Sequence, residues 1–144
     1  MVNSMSPNLM VTNVPASLAF YADGLGGKIA FTVDSDQKAD MEGGIIEGAI
    51  FASVRLGESE MMLPECHNLA EDAPHAYSVD DVPGGTFSLY FRVDDVEAVL
   101  ARLGDVEIVK PLQMTWYGMH EVWVKDPDGY VVTIGTPKGE APEV

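Results

Sequence analysis

"VWVKDPDGYVVTI", residues 122–134, is two β-rich runs joined by Asp126-Pro127-Asp128-Gly129. Val, Ile, Trp and Thr suit a pleated, half-buried surface, and the proline, acids and glycine between them supply tight-turn chemistry, so the stretch reads as a hairpin. Upstream, "FSLYFRVDDVEAVLARL" (87–103) alternates Phe87, Leu89, Phe91 and Val93 on one face and then changes to helical spacing. Asp95 caps that helix, Glu97 sits in its first turn, Val96, Val99, Leu100 and Leu103 form its apolar face, and Gly104 stops it.

The same paragraph of sequence occurs earlier in the chain. In "LMVTNVPASLAFY" (9–21) a strand pattern gives way to a helix capped by Asn13, and at an offset of 82 Asn13 meets Asp95, Val11 meets Val93, Val14 meets Val96 and Leu18 meets Leu100. "KIAFTVD" (28–34) corresponds to "VEIVKPL" (106–112), and "AIFASVRLGESEMML" (49–63) is a second hairpin with a turn one residue shorter. The expectation is an α+β domain spanning 1–144 and made of two β-α-β-β-β half-units, about 6–63 and 87–135, joined by the Pro-, Gly- and acid-rich connection 64–86. The tail "PKGEAPEV" (137–144) is expected to fray.

Three motifs, "VTNVPASLAFYADGLGGKI", "FRVDDVEAVLARLG" and "GMHEVWVKDPDGYVVTI", in this order and spacing, resemble the glyoxalase / bleomycin-resistance / extradiol-dioxygenase superfamily, the vicinal oxygen chelate fold, over nearly the whole chain. The resemblance implies paired half-barrels, each a curved sheet with its helix on the convex side and its concave face toward a ligand. It also implies a homodimer and, in the enzymes of the superfamily, a divalent metal held by the first and last strands of each half. Those positions fall here on Ser6, Met62, Ser88 and Thr133. Hydroxyls are poor ligands for Zn²⁺, Fe²⁺ or Mn²⁺, and a thioether suits softer ions, so no metal and no other cofactor is expected. Shifting each position by one residue adds only methionine as a ligand type.

Side chains alternate across a strand, so one anchored position fixes the rest of its face. The lining expected from the resemblance and this alternation is Asn8, Phe51, Met62, Ser88, Tyr90, Arg92, Glu121, Trp123 and Thr133, with Trp116 and Tyr117 added from the loop "QMTWYGMH" (113–120). Such a surface suits a planar or amphipathic small molecule, held by rings and a few polar groups. Arg92 and Glu121 also have the option of pairing across the sheet. In an enzyme, Glu121 would be the general base, with its pKa raised by an apolar pocket, and Arg92 would steady a developing oxyanion. The expected function is metal-independent binding like that of the bleomycin-resistance branch; the alternative is a glyoxalase-like lyase, isomerase or dioxygenase.

Composition narrows the partners. Eight Lys plus Arg against 23 Asp plus Glu give a formal charge of −15, which repels nucleic-acid backbones and anionic membranes. No apolar run approaches the roughly 20 residues needed to cross a bilayer. Cys66 is the sole cysteine, so an internal disulfide and a Cys-rich zinc site are excluded and a cytoplasmic location is expected. Cys66-His67 with His75 lacks the glycine-bounded elbow of a nucleophile, and the lone histidines read as surface residues.

Overall fold

A computed structural model describes residues 1–139. The chain divides into two compact units, Met1–Pro83 and Gly84–Val144. The expectation of a frayed tail falls, from residue 140, outside the described residues; Pro137 belongs to a strand, and Lys138 N–H donates to the Gly118 carbonyl at 2.8 Å.

The first unit begins with Asn13, whose Oδ1 accepts from Ala16 N–H at 2.9 Å and so starts α1 (Val14–Leu18). The helix then widens into a π turn over Ala19–Gly24, which buries Phe20 and Tyr21. Next come β1 (Lys28–Asp34), the short β2 (Ala39–Asp40), β3 (Ala49–Leu56) and β4 (Ser59–Pro64), in the sheet order β2-β1-β3-β4. The first strand expected from the sequence is reduced to two parallel bridges beside β4, Asn8 to Met62 and Val11 to Glu65. Pro7 offers no N–H to a ladder, and its carbonyl accepts from Met62 N–H at 2.9 Å. The connection 64–86 is not all loop either: Pro64 ends β4, and α2 (Cys66–Asp72) follows, capped by the Glu65 carboxylate.

In the second unit β5 (Ser88–Arg92) leads to α3 (Val96–Leu103), where Asp95 Oδ1 accepts from Ala98 N–H at 3.1 Å and Gly104 ends the helix at φ 66°. Strands β6 (Ile108–Met114), β7 (Met119–Lys125) and β8 (Val131–Pro137) complete a sheet ordered β5-β8-β7-β6. The β5–β8 pair is parallel, as the bridges beside β4 are in the first unit. The Asp126 carboxylate forms the turn, with Oδ1 accepting from Asp128 N–H at 2.9 Å and Tyr130 N–H at 3.0 Å, while Gly129 takes φ 88°.

Each unit has its own apolar side. Val54, Met61 and Leu63 are buried in the first, and Val122, Val124, Val132 and Ile134 with Val96 and Val99 in the second. On β5 the exposed Ser88, Tyr90 and Arg92 alternate with the less exposed Leu89 and Phe91, as side chains on a two-faced strand must. Among the described residues no helix is long and apolar enough to cross a membrane.

Candidate functional site

On the second sheet two rows of cross-strand partners share one face. Tyr90, Thr133, Trp123 and Lys110 form one row, and Arg92, Gly135, Glu121 and Gln113 the next. Glu121 is 1% exposed, yet both carboxylate oxygens are occupied. Tyr90 Oη donates to Oε2 at 2.7 Å, while Tyr117 Oη and Trp123 Nε1 donate to Oε1 at 2.5 and 3.1 Å. Gly135 makes this convergence possible: a Cβ there would lie 2.8 Å from the Tyr90 hydroxyl and 2.9 Å from Met119 Cε.

Burial alone would push the Glu121 carboxyl up, but the bonds from Tyr117, Tyr90 and Trp123, with the charge of Lys110, hold it below its ordinary value. The raised pKa expected for a general base is therefore corrected. Both phenols move the other way, Tyr90 chiefly through burial and then the Glu121 bond, Tyr117 chiefly through that bond. A pairing of Arg92 with Glu121 is not formed; the Arg92 guanidinium lies 5.1 Å from the centre of the Tyr90 ring, and Lys110 Nζ lies 5.0 Å from that of Trp123.

The structure thus brings together Tyr90, Arg92, Tyr117, Glu121, Trp123 and Thr133 of the expected lining. Ser88 is exposed at the start of β5 opposite Val131, and Trp116 stands 84% exposed, edge-on to Tyr117 with centroids 5.4 Å apart. Asn8, Phe51 and Met62 belong to the first unit, where Asn8 bridges to Met62 and Phe51 stacks on Phe31 at 5.9 Å. Sequence reasoning missed Lys110 and Gly135; the cross-strand register of β6 and β8 is what finds them.

The side chains at the superfamily's metal positions do not fit a metal of its usual kind. Of the positions that the resemblance gives, Met62 offers a thioether and Thr133 a neutral hydroxyl, poor donors for Zn²⁺, Fe²⁺ or Mn²⁺. Ser6 and Ser88 add only hydroxyls.

Two further features were not expected. An open cavity of about 740 Å³ in the first unit is lined by Lys28, Phe31, Met41, Glu42, Arg55 and Glu60, none of them in the expected lining. At the start of α2 the Glu65 carboxylate, Cys66 thiol and His67 imidazole converge, with His67 Nδ1 2.7 Å and Cys66 Sγ 3.0 Å from Glu65 Oε1. Burial and the Glu65 carboxylate push the Cys66 thiol up, so it is not an activated nucleophile. His120 is not a surface residue: it is half-buried, and its Nδ1 is enclosed with no hydrogen-bond partner among the described residues.

Comparison with solved structures agrees with the architecture. A protein of unknown function from Agrobacterium tumefaciens str. C58 superimposes with a TM-score of 0.71 at 24% identity, covering 94% of each chain. A superfamily member from Sphaerobacter thermophilus DSM 20745 gives 0.63 at 21% identity, over 94% of this chain and 98% of that one. An enzyme of the same family from Burkholderia phytofirmans PsJN gives 0.64 at 21% identity, over 90% and 94%. No curated protein matches. The α+β fold, two four-stranded sheets with few helices, is that of the glyoxalase-like, vicinal oxygen chelate type. A sequence profile matches residues 4–134, and with it the chain belongs to the Glyoxalase/Bleomycin resistance protein/Dioxygenase superfamily.

Proposed function

We propose that this protein binds a small aromatic or amphipathic organic compound against the Tyr90 and Trp123 face of its second sheet, without a metal, in the manner of a sequestering protein of the bleomycin-resistance kind. The observation that carries this reading is the saturation of Glu121: a buried carboxylate fixed by three ring-borne donors, with Tyr90 still 40% exposed. Such a group works as a scaffold, setting the orientation of three aromatic side chains that a planar guest can contact. The same saturation weighs against the enzyme alternative. A general base must be free to take a proton, and Glu121 would first have to give up charge-assisted bonds that keep it ionised. The sequence expectations of a homodimer and a cytoplasmic location accompany this reading, and sedimentation tests the first.

The two tryptophans of the chain, Trp116 and Trp123, both belong to this region, so intrinsic emission reports on it alone. Titration of metal-stripped protein with neutral bicyclic aromatics such as 2-naphthol is expected to give saturable quenching that added Zn²⁺, Fe²⁺ or Mn²⁺ leaves unchanged. Binding that appears only after a divalent metal is restored would overturn the reading. For the enzyme alternative, Glu121→Gln would abolish turnover of a substrate while sparing its binding.

A further inference from the structure

We infer that the compound bound on the second sheet is an organic anion, an aromatic carboxylate, with Arg92 as the group that grips its charge. This deepens the functional reading above and rests on it. Glu121, the one acid of the two rows, already accepts three bonds, so it offers little to a cationic guest. What remains unspent on this face is donor capacity. Arg92 and Lys110 are exposed, each lies over a ring, and neither forms an ion pair among the described residues.

Only eight residues are Lys or Arg against 23 acids, and two of those eight stand on this one face. Lys125, on the same strand as Trp123, lies 3.6 Å from Glu107. Arg92 and Lys110 instead stand at the two edges of the sheet, on β5 and β6, with Thr133, Gly135, Glu121 and Trp123 between them. Three inter-strand spacings separate those edges, roughly 14 Å of backbone, which both long side chains narrow. A bicyclic guest laid against the part-exposed rings of Tyr90 and Trp123 has the planar guanidinium of Arg92 at one end. That fork matches a carboxylate bidentately, while Lys110 adds a positive field from the other side. Gly135 contributes by admitting the Tyr90 hydroxyl and Met119 Cε above its backbone, which sets the ring that the guest meets.

The test compares naphthalene-2-carboxylate with its neutral isostere naphthalene-2-carboxamide by tryptophan quenching and calorimetry at low and high salt. A charge-assisted contact predicts that the carboxylate binds about tenfold more tightly at low salt, with the advantage shrinking as salt rises. Arg92→Gln should remove about tenfold of the carboxylate affinity and Lys110→Gln about threefold, each changing amide affinity by less than about twofold, with urea midpoints certifying that the variants are folded. Equal affinity for the two probes, or carboxylate affinity untouched by Arg92→Gln, overturns the inference while leaving aromatic binding intact. Binding of neither probe overturns both. Loss of self-association in Arg92→Gln, with no anion bound by the wild type, would give the face to a second copy of the chain and likewise overturn it.

Discussion

Phe51 and Glu121 hold equivalent places in the two sheets. Phe51 lies opposite Pro64 and Glu121 opposite Gly135, while the next inward-facing pairs are Ser53 with Met62 and Trp123 with Thr133. Beyond them Asn8 bridges to Met62 as Tyr90 pairs with Thr133. The backbone frame is therefore repeated, but its contents are not. In the first unit the central position is an aromatic ring stacked on Phe31, and Ser53 donates to Glu60. In the second it is a carboxylate around which three donors are arranged. The repeat specifies where side chains point, whereas the polar convergence that makes a site is written separately into one copy.

The largest expected effect tests the shared frame. Leu63 and Ile134 are equivalent, on β4 and β8, and both are fully buried. Replacing either with alanine should cost about 2–5 kcal/mol in urea unfolding, through lost transfer energy and an unfilled cavity. Closely matched losses would support one core position common to both copies. A loss below about 1 kcal/mol at one position alone would break that equivalence, because a core site cannot then be common to both copies.

The next effect tests what differs. Glu121 has its folded pKa below the ordinary carboxylate value of 4.5, so its stabilisation is fully present above that value and is lost as pH falls through the lower folded one. Glu121→Gln keeps the shape but removes the charge that three donors face, and should cost about 1–3 kcal/mol at neutral pH. Its urea midpoint should also decline less steeply than the wild type's as the pH drops below 4.5. Parallel acid profiles for the two proteins would mean that the three bonds contribute no ionisation-linked stability. Phe51→Leu, a near volume-conserving change at the equivalent place, should leave the acid profile unaltered.

Much of this frame was legible because it is local. Asn13 and Asp95 announce their helices by capping chemistry, and Asp126 to Gly129 fixes a turn whose register then dictates every partner on β7 and β8. Other parts depend on groups far apart in sequence. Glu121 reads from sequence as an acid in an apolar pocket; only when residues 31 and 4 positions away deliver their hydroxyls does its pKa turn downward. Arg92 likewise has Glu121 within its expected reach, yet the carboxylate is already saturated and the guanidinium settles over Tyr90. The α2 helix went unseen because its cap is a glutamate, outside the usual Ser, Thr, Asp and Asn signal. Gly135 looks like an ordinary strand glycine until its missing Cβ is set against the Tyr90 hydroxyl.

The smallest effect returns to the repeat at its helix starts. Asn13→Ala and Asp95→Ala each remove a side-chain acceptor for the backbone N–H three residues on, and each should cost about 1 kcal/mol. They need not be equal. Asp95 also places a negative charge at the positive end of α3, worth about 0.3–1 kcal/mol at low salt, whereas Asn13 is neutral. Asp95→Ala should therefore be the more costly change at neutral pH in dilute buffer, with the gap closing as salt is raised. Measured urea midpoints that keep the same gap at high salt would assign the excess to something other than charge. The neighbouring Thr136 hydroxyl, which accepts from Val96 N–H at 2.8 Å, supplies the remaining cap of α3 in either protein. Because that bond persists in Asp95→Ala, the charge term is isolated from a general loosening of the helix start.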